Sequence, residues 1–244
     1  MMKRVLLVLL NICIGMFIQA QDTTLYNKYN EKVSSKDSAT YYKLVYRNAA
    51  DTNLAKVLLY YMSGELKAEY NYSVYSKRLR QGLELLCSET GMPSREANYI
   101  ADSLEGKFIT YWSNGLLKRQ DNYRKGVWID GKCYSSTGVD TSYFNYSNPP
   151  EFNGGRQALV QYISRSVKYP ANAKRMGIEG SVLVRFTIDK DGKVIDTKVI
   201  KSISKELDEE ALRVINAMPN WVPGQLDGEG IKFSFALPIA FRLN

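Results

Sequence analysis

The sequence predicts an α+β protein built in two parts. The C-terminal part is a sandwich of a three-stranded antiparallel sheet with helices on one face. A β-hairpin-rich region precedes it. Three observations carry this expectation. Residues 231–243 alternate apolar and polar without a break, the period of a strand with one buried face. Leu207, Ala211, Val214, Ile215 and Met218 form one apolar stripe at helical spacing. Tyr60-Tyr61-Met62-Ser63-Gly64-Glu65-Leu66-Lys67 returns as Tyr111-Trp112-Ser113-Asn114-Gly115-Leu116-Leu117-Lys118, each with two aromatics before a Gly turn.

A length of 244 residues suits two domains. With 45% hydrophobic and 24% charged residues, the chain is neither wholly disordered nor a polytopic membrane protein. Histidine is absent, which removes Ser-His-Asp and Cys-His hydrolases, His-ligated zinc and His-ligated haem. Only 7 prolines leave no room for a long Pro-rich spacer.

The chain opens with Lys3 and Arg4, then an apolar run over residues 5–17, and ends this segment at Ile18-Gln19-Ala20 before Gln21-Asp22. A basic start, a short apolar stretch and a small residue before polar sequence make residues 1–20 a signal peptide cut after Ala20. The alternative is a single uncleaved inner-membrane anchor facing the periplasm. The uncharged stretch over residues 5–21 is 17 residues long, about the lower limit for a span, and Asn11, Gly15, Gln19 and Gln21 weaken it. Cys13 lies within this run and lacks the small preceding residues of a lipoprotein site.

Export reinterprets the charge and the cysteines. The formal charge of +8 becomes +6 without Lys3 and Arg4. An exported protein meets no nucleic acid, so the excess serves solubility or attraction to an anionic envelope surface. Cys87 and Cys133 remain. In an oxidising compartment they form either a disulfide or two buried thiols, and sequence supplies no distance to choose between them.

Two composition regimes follow. Sixteen of 18 Tyr residues lie within residues 21–150, and five of 8 Phe residues lie after it. Ser147-Asn148-Pro149-Pro150 at the change reads as the end of a linker over residues 139–150. Residues 21–55 form a polar segment with a strand over residues 40–47. Residues 56–138 hold the hairpins. In the two echoes, Tyr72 and Tyr123 stand equally far past Gly64 and Gly115, and a turn with positive backbone dihedrals explains both glycines. Gly106, Gly126 and Gly131 continue the rhythm. This Gly and Tyr recurrence resembles degenerate MORN repeats, which implies stacked hairpins used for interaction or spacing. An irregular β-meander is the plainer alternative.

The C-terminal part, residues 151–244, opens with Phe152-Asn153-Gly154-Gly155. Ala158, Leu159, Tyr162 and Ile163 suggest a first short helix, and Ala171, Ala173 and Met176 a second after Tyr169-Pro170. Val182, Val184, Phe186 and Ile188 mark a strand, which turns at Asp189-Lys190-Asp191-Gly192-Lys193 and returns over residues 194–200. Asp189 and Asp191 lack the spacing of a calcium loop. Ser204 caps the striped helix, whose acidic first turns suit the helix dipole, and Pro219 stops it. In the last strand every odd-numbered residue from Ile231 to Leu243 is expected in the core. Pro238 cannot donate to a ladder, which puts this strand at an edge or a bulge. A free edge is a docking site for an extended peptide.

Residues 152–243 resemble the C-terminal domain of the TonB family. The likeness rests on Phe152-Asn153-Gly154-Gly155, Tyr169-Pro170, Ala173, Gly177, Gly180, Val182, Val184, Phe186, Ile188-Asp189, Gly192, Val194 and Val199. It continues through Ser202, Leu207-Asp208, Ala211-Leu212, Trp221, Pro223 and Leu237-Pro238-Ile239 to Phe241. The resemblance implies a periplasmic protein that transmits energy for transmembrane transport by gripping outer-membrane TonB-dependent receptors at the last strand. The partner-binding residues are then Lys232, Phe233, Ser234, Phe235, Ala236, Leu237, Pro238, Ile239 and Ala240. Inner-membrane proton-motor proteins and a second copy of the chain are further candidate partners. No enzyme activity, cofactor, metal or nucleic acid is implied. A family transducer usually has a membrane helix with a functional His and a long Pro-rich spacer, and this sequence has neither. An envelope scaffold with no part in energy transduction is therefore the alternative. The one Ser-x-x-Lys in a helical context, Ser202 to Lys205, reads as helix capping with an exposed Lys rather than as a catalytic pair.

Overall fold

The structure, a computed structural model, describes residues 23–243. The segment read as a signal peptide or anchor lies outside the described residues. The chain divides into two compact units between Tyr143 and Phe144.

The N-terminal unit is one antiparallel sheet. Its strands are β1 (Thr23–Tyr26), β2 (Lys32–Val33), β3 (Tyr41–Arg47), β4 (Ala55–Tyr61), β5 (Leu66–Val74) and β6 (Leu79–Arg80). They continue as β7 (Gly82–Cys87), β8 (Pro93–Ile100), β9 (Ser103–Tyr111), β10 (Leu117–Arg124), β11 (Val127–Tyr134) and β12 (Asp140–Thr141). The order is β12-β11-β10-β9-β8-β7-β5-β4-β3-β1-β2, with β6 beside β5. The polar segment expected over residues 21–55 is thus no separate piece: β1, β2 and β3 extend the same sheet. Local turn chemistry builds the meander. Gly64, Gly91, Gly115 and Gly138 all have positive φ, and each N–H donates to the carbonyl three residues back, at 2.8–2.9 Å. The echo between Gly64 and Gly115 therefore spans two hairpins, not one. The turns at Gly91 and Gly138 escaped notice because no aromatic pair precedes them.

Among the described residues this unit contains no α-helix, and a small apolar cluster in it is formed by Val45, Ala55 and Val57 with Leu59 and nearby Tyr rings. Charges share the buried face. Arg119 and Asp121 are both wholly buried and pair at 3.0 Å. Burial pushes the Asp121 carboxyl above its ordinary range even so.

The expected alternative of a Cys87–Cys133 disulfide is corrected. Both thiols are free and buried. Cys87 lies in β7 and Cys133 in β11, with β8, β9 and β10 between them. Four strand spacings amount to roughly 19 Å, against the ~7 Å that a disulfide spans. Burial and the nearby Glu96 push the Cys87 thiol up, keeping it protonated.

The C-terminal unit contains β13 (Ser147–Asn148), α1 (Gly155–Ser166), α2 (Ala171–Arg175), β14 (Gly180–Ile188) and β15 (Val194–Lys201). It ends with α3 (Lys205–Asn216), β16 (Gln225–Leu226), β17 (Glu229–Gly230) and β18 (Phe233–Phe241). The expected linker is corrected in part. Ser147 and Asn148 pair with β16, and Pro150 is buried close to Gly224, so these residues belong to the domain. The main sheet runs β15-β14-β18, all antiparallel. Its inner face, Val182, Val184, Phe186 and Ile188, meets Leu207, Ala211 and Ile215 of α3 in one core. The Ser204 hydroxyl accepts from the Leu207 N–H at 3.4 Å and caps α3 as expected. Ser202 does not cap; it donates to the Asp208 carboxylate at 2.5 Å. No helix of the described residues is long and apolar enough to cross a membrane.

Candidate functional site

The last strand is an edge. β18 pairs with β14 in unbroken register from Ile188 opposite Phe233 to Gly180 opposite Phe241. Among the described residues no strand pairs with its other side. Pro238 stands opposite Leu183 with no bulge. Proline has no N–H, so this register holds it in a non-hydrogen-bonded pair, where backbone groups point away from the partner strand. The alternation of an antiparallel ladder then turns the N–H groups of Ser234, Ala236 and Ala240 to the free edge as well.

The side chains alternate as expected within Phe233–Phe241, but the strand is shorter than the expected 231–243: Ile231 and Leu243 lie outside it, half-buried and not part of the core cluster. Lys232, Ser234, Ala236, Pro238 and Ala240 are exposed, and Ile239 and Phe241 are buried. Lys232 stands just before the strand. Phe235 and Leu237 are half-buried and pack against the core. Phe233 was expected in the core but is 38% exposed. It sits where the strand starts, at the rim of the inner face, and its ring leans on Phe235 at 4.9 Å. On the outer face the Ser234 and Thr187 hydroxyls share a hydrogen bond at 3.1 Å.

A groove that the sequence did not disclose runs along this edge on the helix side. A cavity of about 240 Å³ is lined by Phe152, Leu159, Phe186, Trp221, Phe235 and Leu237, with Glu151 and Arg156 as its charged members. The Trp221 ring is the hub, 5.5 Å from Phe152, 5.9 Å from Phe186 and 5.1 Å from Phe235. Several parts of the chain hold it there. The Asn153 side chain donates to the Asn220 carbonyl at 2.8 Å, and Trp221 N–H donates to the Gly192 carbonyl at 2.8 Å. Gly192 has φ +83°, and a Cβ there would stand 2.1 Å from the Trp221 carbonyl oxygen. The motif residues Phe152, Asn153, Gly192 and Trp221 thus converge on one wall of the groove. Their separation in sequence hid this.

A larger cavity of about 460 Å³ lies in the N-terminal unit beside Tyr41 and Tyr61. Lys67 covers both rings, at 5.3 Å and 4.7 Å, so those aromatic faces already carry a cation. The cavity at the β18 edge is smaller but adjoins unsatisfied backbone, which makes it the better candidate.

The geometry defines a small α+β module with an open sheet edge, a class suited to binding extended peptides. Residues 165–243 match the family model described as Gram-negative bacterial TonB protein C-terminal. The chain is 36% identical over 104 residues to Protein TonB from two strains of Helicobacter pylori, a stretch covering 42% of this chain and 35–36% of those proteins. It therefore spans about a third of the length of these relatives. Two solution structures of the Helicobacter pylori TonB C-terminal domain match at 33% identity. They cover 36% and 35% of this chain and 79% and 90% of those chains, with TM-scores of 0.30 and 0.29. The family match lies within the C-terminal unit.

Proposed function

We propose that this chain is an envelope protein whose C-terminal unit docks outer-membrane TonB-dependent receptors by strand addition at β18, in support of energy-coupled transport. The open edge of β18 carries this reading, together with the sequence match over residues 165–243. Backbone hydrogen bonds supply much of the grip in such docking and tolerate varied partner sequences. Lys232 to Ala240 form the contact strip, the even-numbered residues through their outward backbone groups. The N-terminal unit acts as a MORN-like spacing or interaction array, placed where a transducer usually has its Pro-rich spacer. Residues 1–20 direct export to the periplasm.

The test is calorimetric titration of the full chain with synthetic peptides copying the plug segments of TonB-dependent receptors from the same organism. Ser234→Pro and Ala240→Pro each remove one edge N–H. One hydrogen bond is worth about 0.5–1.5 kcal/mol net, so each variant should bind roughly two- to twelve-fold more weakly. If correctly folded edge variants bind as tightly as the parent, or if no such peptide binds, docking is wrong. The two-unit chain is then an envelope scaffold.

A further inference from the structure

The core that α1, α2 and α3 share with the β15-β14-β18 sheet lies on its inner face, with Val182, Val184 and Phe186. The outer face carries a different pattern. Val184 and Phe186 point inward, so Arg185 between them points outward, and it is exposed. Lys198 stands directly opposite Arg185, and Lys201 stands opposite Leu183, two residues along the strand. Both lysines are exposed. Strand spacings put the three cations within roughly 5–10 Å of one another. Among the described residues none of the three forms an ion pair. The strands of this sheet hold one acidic residue, Asp196, at an irregular step of β15 with φ 52°. Like charges directly opposite each other destabilise a sheet, so Arg185 and Lys198 cost the fold stability. An anionic layer over them reverses that sign.

Resting on the envelope location proposed above, we propose that this outer face adsorbs to the anionic headgroups of a lipid bilayer. A packed protein interface is centred on buried aromatic anchors. This face has none: Ser181, Leu183 and Thr187 of β14 and Ser234, Ala236 and Ala240 of β18 occupy it beside the cations. The short side chains of β18 keep the surface low, so the longer cations reach a plane of phosphates first. Lys232 and Arg242, exposed at the two ends of β18, widen the basic area. Each basic residue held at such a surface is worth about fivefold in affinity. With no aromatic ring to insert, adsorption is electrostatic, reversible and weakened by salt. A strand that adds to β18 lies in the plane of the sheet, so a bilayer against the outer face leaves that edge open.

The probe is a vesicle of equal parts phosphatidylglycerol and phosphatidylcholine, set against pure phosphatidylcholine, in a sedimentation assay. The chain is used from Gln21 onward with both units intact, so that residues 1–20 add no binding of their own. The parent should sediment with the anionic vesicles at about 0.1 M salt and be released at about 1 M, where screening shortens from roughly 10 Å to 3 Å. Arg185→Gln, Lys198→Gln and Lys201→Gln combined should weaken adsorption about a hundredfold, or fivefold per charge. This variant should melt no lower than the parent, because it relieves the like-charge pair. Arg165→Gln, Lys174→Gln and Lys205→Gln combined remove the same charge from the helices and should weaken adsorption less than about fivefold. Equal losses from the two triple variants would show a response to net charge alone and overturn the proposal. Equal binding to neutral and anionic vesicles would do the same. If a Glu-rich peptide bound through Arg185, Lys198 and Lys201 while the vesicles did not, the face would belong to an acidic protein and the proposal would fall. None of these results touches strand docking, which peptide titration without lipid reads separately.

Discussion

The two units bury one face of an antiparallel sheet by opposite means. In the C-terminal unit, helix residues Leu207, Ala211 and Ile215 close over Val182 to Ile188, and Ile239 and Phe241 complete one contiguous core. In the N-terminal unit side chains of the strands cover one another. Tyr26 stacks on Tyr41 at 5.1 Å and Tyr42 on Tyr60 at 5.4 Å. Arg80 lies over Tyr99 at 3.8 Å and Lys118 over Trp112 at 4.4 Å. The difference teaches where cooperativity resides. A shared core fails as a whole, whereas a hairpin array behaves nearly as a sum of neighbouring terms.

The largest effects test that contrast directly. Phe186→Ala or Phe241→Ala, each at a site 1% exposed, should cost about 3–5 kcal/mol. Hydrogen exchange should show β14, β15, β18 and α3 losing protection together while β3–β5 keep theirs. Equal losses in both units would show that they unfold as one body. In the N-terminal unit, Asp121→Ala breaks the buried pair with Arg119 and should cost about 3 kcal/mol or more. Here the loss should concentrate in β9–β11 and fade toward β3. A uniform loss across the sheet would refute the local character argued above.

The glycine turns sharpen the comparison at smaller energies. Gly64 and Gly192 have similar φ, +96° and +83°, but different surroundings. A Cβ at Gly64 meets nothing within 4 Å, so Gly64→Ala should cost only the backbone strain, about 1 kcal/mol. Gly192→Ala adds a clash with the Trp221 carbonyl and should cost clearly more, with the Trp221 indole resonance displaced. Equal melting temperatures for the two variants would mean that the turn at Gly192 does not position Trp221.

This same contrast governs what the sequence disclosed. The C-terminal elements were legible because each presents a single face to one core, which imposes clean periods on Val182 to Ile188, on Leu207 to Met218 and on Phe235 to Phe241. Phe233 misled because alternation tells which side a residue faces, not whether anything covers it. Its truncation should therefore cost well below the 3–5 kcal/mol of a buried Phe. The free edge was legible through Pro238. The cavity beside it was not, since Phe152, Leu159, Trp221 and Phe235 come from separate elements. In the hairpin array, aromatic pairs advertised two turns, while those at Gly91 and Gly138 carried only Ser, Thr and Glu. The Cys87–Cys133 alternative fell to strand order, which no local pattern encodes.

The smallest effects separate the units by pH. Glu210 accepts from Arg213 Nε at 2.7 Å and from the Lys168 N–H at 2.6 Å, tying α3 to the end of α1. The Arg213 guanidinium beside it, with the Lys168 amide, holds its carboxyl below the usual range. A depressed carboxylate contributes stability that is complete above its unfolded value and is lost as pH falls through the folded one. Glu210→Gln should cost about 0.5–1 kcal/mol at neutral pH, and the difference from the parent should vanish in acid. Tyr111 in the N-terminal unit runs the other way. Burial and the Glu96 carboxylate that accepts its hydroxyl at 2.9 Å push it up to about 12. Its contribution is complete below the unfolded phenol value and disappears as pH rises toward 12. Exchange profiles against pH should therefore show α3 loosening first in acid and β9 first in alkali, with Tyr111→Phe flattening the alkaline limb. Loss of both elements at the same pH would mean that neither group sets the stability of its own unit.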